Sequence, residues 1–147
     1  MKAEKKSQRG NAILEFAIGF SLLWALFAGV YQFGYTFFIY NRLMTAVTNA
    51  AAVGSKLTYD TGNTSQFTNA VTNMVLYGST TAGSTPIVPG LSSSNVTVSV
   101  NPSNLAPAYV TITINSFTVD ALFHSFTFNG KPSVTMSYTG QVTCSTC

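Results

Sequence analysis

Hydrophobic positions change their period three times along the chain, and each change predicts a different element. From Ala12 to Tyr40 the run AILEFAIGFSLLWALFAGVYQFGYTFFIY is apolar on all sides of a helix, with one ionisable carboxylate, Glu15, and one amide side chain, Gln32. An all-round apolar helix belongs in a membrane or in a bundle of like helices. Counting Phe16 to Tyr40 as the span gives roughly 37 Å at ~1.5 Å per residue, enough to cross a ~30 Å hydrocarbon core with tilt. Tyr31, Tyr35 and Tyr40 fall towards its far end, where amphipathic rings favour the interface. Past Tyr40 the apolar residues narrow to one face (Leu43, Val47, Ala50, Gly54, with Met44 and Ala51 alongside), so the helix is expected to run on to Lys56 with that face on a sheet.

A second helix is expected over Ser65–Tyr77. Phe67, Ala70, Val71, Met74 and Val75 form one stripe, Thr64 or Ser65 caps its start, and Gly78 ends it. The segment from Gly78 to Pro89 is rich in turn residues and reads as a surface loop. Period-two alternation then marks half-buried, antiparallel strands over 95–100, 109–114 and 133–142. Between the second and third, Phe117, Leu122, Phe123, Phe126 and Phe128 crowd an apolar connection that closes on an Asn129-Gly130 turn. These phenylalanines either cover the helix–sheet core or form an exposed contact patch. The fold class is α+β: a long N-terminal transmembrane helix packed at its distal half on a small antiparallel sheet of three or four strands, plus a short second helix. The first half of the long helix should stay bare.

Composition adds one thing. Of 147 residues only 7% are charged while 13% are aromatic, so the chain is ordered but has an uncharged, hydroxyl-rich surface. The net charge of +3 resembles that of a nucleic-acid binder only until it is mapped. Lys2, Lys5, Lys6 and Arg9 face Glu4 alone in a basic leader. Beyond Gly10, Arg42, Lys56 and Lys131 balance Glu15, Asp60 and Asp120. No clustered basic patch remains for phosphate, so nucleic acid is excluded as a partner. A basic cluster before the span puts the N-terminus in the cytoplasm and the remainder outside. A cleaved secretory signal would have an apolar stretch of only ~7–15 residues, about half of this one.

Glu15 sharpens the reading, because a carboxylate in a membrane helix is costly and usually has a partner. At the interface it would merely stabilise the helix N-terminus. If the chain is cut after Gly10, however, Asn11 becomes the first residue, and its new amino group can pair with Glu15 of a neighbouring subunit in a helical bundle. The stretch Arg9-Gly10-Asn11-Ala12-Ile13-Leu14-Glu15-Phe16-Ala17 resembles the processing motif of type IV pilin-like proteins, and more narrowly the TadE-like minor pilins (pseudopilins) of tight-adherence pili. Phe33-Gly34 and Ala50-Ala51-Ala52-Val53-Gly54 match further features of that family. A proline that many members carry early in the span is replaced here by Gly19-Phe20-Ser21. The resemblance implies a prepilin peptidase cutting at Gly10, other pilin subunits as partners, and a role in adherence-pilus biogenesis.

Catalytic equipment is lacking. His124 is the sole histidine, and Asp120, four residues before it, offers a local hydrogen bond on one helical turn. Cys144 and Cys147 form a terminal C-x-x-C, half a zinc site at best, and in an oxidising exterior they suit a small disulfide loop or an intermolecular link. No metal, cofactor or enzyme activity is expected. The expected layout is a basic leader over 1–10, a long helix over 11–56 and an extracytoplasmic α+β head over 57–147. The chain then sits in the bacterial inner membrane, with membrane lipid as partner, before joining a cell-surface filament. The competing reading is a permanently anchored envelope binding module with a β-rich head. The two differ first at the N-terminus: mass spectrometry of the native protein should find a mature chain starting at Asn11, and an intact leader on the functional protein would favour the fixed anchor.

Overall fold

The computed structural model describes residues 8–101 and 107–145, so the first seven residues of the expected leader and Cys147 lie outside the described residues. Helix α1 runs unbroken from Gln8 to Gly54, 47 residues, or roughly 70 Å at ~1.5 Å per residue. No proline interrupts it, and its hydroxyls turn back on the helix. Ser21 Oγ donates to the Ala17 carbonyl at 2.8 Å and Thr36 Oγ1 to the Gln32 carbonyl at 2.9 Å. Such bonds satisfy hydroxyls where water is absent. The helix starts before the expected Asn11 and ends two residues short of Lys56, because Ser55 and Lys56 close a turn onto the Ala51 and Val53 carbonyls.

The distal part of α1 supplies Ile39, Leu43, Val47, Ala50 and Ala51 to the core. The small residues at its end let a second helix, α2 (Thr64–Tyr77), come close: a Cβ placed on Gly54 would lie 3.1 Å from Val71 Cγ2. α2 buries Phe67, Val71 and Val75 of the stripe read from the sequence, and Leu76 beside them, while Ala70 and Met74 are half-buried. It stops where expected, with Gly78 in the left-handed region at φ 71° and its N–H on the Met74 carbonyl. Its start differs from expectation. Asn63 occupies the cap position without a side-chain capping bond, and Ser65 Oγ donates instead to Asn63 Oδ1.

After a two-residue strand β1 (Tyr59–Asp60) preceding α2, the remaining strands are β2 (Val96–Asn101), β3 (Tyr109–Ile114), β4 (Phe117–Asp120), β5 (Ser125–Phe128), β6 (Ser133–Ser137) and β7 (Val142–Thr143). β2, β3 and β6 form an antiparallel sheet with β3 central; Val98 and Val134 both face Ile112 in register. Val110, Ile112 and Ile114 are fully buried against the helices. The outer face carries hydroxyl pairs, Thr111 with Thr135 and Thr113 with Ser133, both at 2.8 Å, the uncharged form of cross-strand pairing. The third strand is shorter than the expected 133–142. Beyond Ser137 the chain leaves the sheet to close over the end of α1: Thr139 N–H donates to the Ser55 carbonyl at 2.8 Å, and Tyr138 O–H to the Leu57 carbonyl at 2.6 Å.

The phenylalanine-rich connection is itself ordered as an antiparallel hairpin, β4–β5, pairing Phe117 with Phe128 and Asp120 with Ser125. Its residues divide between the two fates weighed above. Phe117 and Val119 enter the core, Phe128 packs at its edge, and Leu122 and Phe123 at the tip are 61% and 64% exposed.

The helix thus has two energetic regimes. Leu43→Ala should cost the head about 2–5 kcal/mol, whereas Leu23→Ala should leave head stability unchanged. Chemical unfolding of the full chain in detergent, followed by near-UV circular dichroism, separates the two.

Candidate assembly and membrane interface

Every residue from Gly10 to Phe27 is exposed on all sides of α1. Ile13, Phe16, Leu23, Trp24 and Phe27 each leave half or more of their surface open, and this helix is apolar and long enough to cross a membrane. Glu15 lies inside this bare stretch, one turn from Gly10 and Asn11. Gly10 has no neighbour within 4 Å of a built Cβ, so nothing within the described chain requires glycine there. The structure brings Gly10, Asn11 and Glu15 onto one exposed helical end.

From Ala28 onward the head covers one side of α1. Ala28, Gln32 and Ile39 are buried while Val30, Phe33 and Phe37 on other faces are not. The cover is the β4–β5 hairpin, which runs down the helix towards its N-terminus. Phe128 packs on Tyr40 with ring centroids 5.5 Å apart, and Phe126 on Phe33 at 6.5 Å. Leu122 closes an apolar hollow of about 260 Å³ with Trp24, Phe27, Ala28 and Tyr31. Gln32 fixes the tip. Its Nε2 donates to the His124 carbonyl at 2.6 Å, and its Oε1 accepts the Phe123 N–H at 3.1 Å, as a neighbouring strand would.

The direction of the hairpin is set at a corner of three asparagines. Asn95 Nδ2 donates to the Asn115 and Ser116 carbonyls, Asn115 Nδ2 to Thr97 Oγ1, and Asn129 Oδ1 accepts the Ser116 N–H. Ser116, at φ 52°, turns the chain out of the sheet there. The expected helical turn joining Asp120 to His124 is absent: Asp120 ends β4, and the His124 ring packs edge-on against Phe126 at 5.1 Å. Among the described residues no three of His, Cys, Asp and Glu gather as a metal site.

At the opposite end of the head, β1 and β7 pair in parallel, Tyr59 with Val142 and Asp60 with Thr143. Tyr59, Phe67 and Tyr138 meet edge to face beneath them, with centroids 5.3–6.5 Å apart. Cys144 follows directly and is disulfide-bonded; Cys147 lies outside the described residues.

Residues 10–52 match the family model of the TadE-like proteins. Over that segment, under a third of its length, the chain is similar to the TadE-like proteins. No curated protein and no solved structure matches it. The TadE-like segment is nearly the whole of α1, and the head beyond it falls outside the match. The match accords with the layout of the fold, a long apolar N-terminal helix followed by a small α+β head. The geometry also accounts for the small residues closing the TadE-like segment: Ala50 and Ala51 are fully buried, and with Gly54 they make room for α2. Gln32 and the hairpin tip were not recognised from sequence as a unit. The only available signal was a single amide in an otherwise apolar run.

The β1–β7 clasp carries one carboxylate, Asp60, whose oxygen Oδ1 accepts from the Gly62 and Ser145 N–H groups at 2.9 and 3.0 Å. Bonds from the Ser145 side chain and backbone, and from the Gly62 N–H, hold the Asp60 carboxyl below its ordinary value. A depressed carboxylate stabilises the fold above its unfolded pKa and loses that contribution as pH falls through its folded pKa. Amide exchange at Gly62 and Ser145 should therefore be steady near neutrality and quicken on acidification beyond its intrinsic pH trend. Asp60→Asn should remove that extra acid dependence.

Proposed function

We propose that this chain is a pilin-like subunit, cut after Gly10 by a prepilin peptidase and assembled through α1 into an adherence pilus or at its base or tip. The observation that carries the proposal is Glu15, a carboxylate set in the bare, all-round apolar end of α1. That surface is insoluble by itself, and lipid or a bundle of like helices hides it equally well. Cleavage after Gly10 would create a cation at Asn11, and in a bundle that cation would offset the desolvation of Glu15 from a neighbouring subunit. Gly10 and Asn11 lie in the first turn of α1, where N–H groups lack helical partners and the chain opens at little cost. A role in filament structure rather than catalysis accords with the TadE-like match. On this reading the head faces away from the cytoplasm and reaches the cell surface with the filament.

Glu15→Gln tests the pairing. The amide is cheaper to hold in lipid, so membrane-fraction levels should match wild type. Incorporation into sheared filaments or co-purified pilus complexes should fall roughly tenfold or more, because the neighbour's ammonium is left buried and alone. Equal incorporation would remove the pairing mechanism and favour the permanently anchored module.

A further inference from the structure

The bare part of α1 is shorter than the apolar run in the sequence, and that difference locates a second membrane contact. Gly10–Phe27, exposed on every side, spans roughly 27 Å at ~1.5 Å per residue, close to the ~30 Å of a hydrocarbon core. With the basic leader held on one side, a core beginning near Ala12 ends near Tyr31. That is the level at which the hairpin tip meets the helix, through Gln32 and through the hollow shared by Leu122, Trp24 and Tyr31.

We propose that the β4–β5 tip is a lipid-inserting wedge, with Leu122 and Phe123 seated in the interfacial layer of the outer leaflet beside the span. Four observations carry it. The tip's large apolar side chains are exposed and continuous with the uncovered apolar surface of α1. Two of the tip's backbone groups are already provided for, since Gln32 pairs both the Phe123 N–H and the His124 carbonyl. Non-helical backbone is excluded from the hydrocarbon region unless its groups are paired, so the remaining groups keep the tip in the hydrated interfacial layer. Exposed polar residues flank the tip at Asp120 and His124; a carboxylate is costly deeper in the bilayer, which confines insertion to the two apolar residues. Stacked Tyr31 and Tyr35, with centroids 6.2 Å apart, lie at the same level, where interfacial rings gather. A span reaching Tyr40 would instead immerse the whole hairpin, Asp120 included. The wedge makes the anchorage two-legged, fixing both the depth of α1 and its rotation about its own axis.

The proposal rests on the anchor reading of α1, and its test separates the two. The full chain is reconstituted in phosphatidylethanolamine–phosphatidylglycerol vesicles whose acyl chains carry bromine either near the headgroup or near the chain end. In a Trp24→Phe background, Phe123→Trp provides a single reporter at the tip, with Leu122→Trp as a second position should the first fail to fold. Tyr109→Trp, at the far end of the sheet, reports on the head, and wild-type Trp24 reports on the anchor. Blue-shifted tip emission, quenched more by bromine near the headgroup than at the chain end, with Tyr109→Trp unquenched, is the expected result. If Trp24 is quenched while tip emission stays water-like, the wedge is overturned and the anchor stands. Stronger quenching of the tip by chain-end bromine overturns the shallow placement, and quenching at Tyr109→Trp overturns a tip-specific contact. If neither Trp24 nor the tip is quenched, anchor and wedge fall together.

Discussion

Everything in this molecule follows from one helix being asked to satisfy two environments. Past its first turn the backbone of α1 is paired within itself, so that stretch can leave water without unsatisfied N–H or C=O groups. Its side chains then divide along its length. Leu43 and Val47 find protein partners and are fully buried, while Leu22 and Leu23 remain 65% and 51% exposed. The head is stable because the distal part of α1 serves as one wall of its core. The proximal part contributes nothing to that core and must be covered by something else. A chain built this way carries an unmet demand for burial, which lipid or like helices can meet.

The links between head and helix are correspondingly mixed. Near Gly54 the contact is tight and apolar, made by small residues against Val71. Further down, the head reaches the helix only through a two-stranded extension, and at its tip a polar clamp takes over. Gln32 is 6% exposed and its amide is bonded on both sides. Placing an amide there secures the tip by direction as well as by burial, because both its donor and its acceptor must be met at once.

Long-period features were legible in the sequence and short or distant ones were not. The alternation of Val96, Val98 and Val100, and of Val110, Ile112 and Ile114, announced two strands whose bounds proved close to those expected, since a half-buried sheet writes itself into period two. The stripe on α2 and its glycine stop were readable for the same reason. β4 and β5 escaped because each is four residues long, and the exposed Leu122-Phe123 breaks their alternation. The β1–β7 pair is shorter still and joins residues about eighty positions apart. The bare end of α1 was foreseen, but its true length was not. Hydropathy counts Phe33 and Ile39 alike, although one faces outward and the other the core.

The hydroxyl pairs on the sheet and the hairpin have a consequence of a different kind. Thr111–Thr135, Thr113–Ser133 and Thr118–Thr127 stand where many exposed sheets carry alternating charges. Past Gly10 the chain's three cations and three anions cancel. Dissolved ions screen charges and leave neutral hydrogen bonds largely untouched. The head therefore presents much the same surface in fresh water, in brine and beside a charged mineral or cell wall, and a structure made from it would owe its cohesion to shape and dryness rather than to the salt around it.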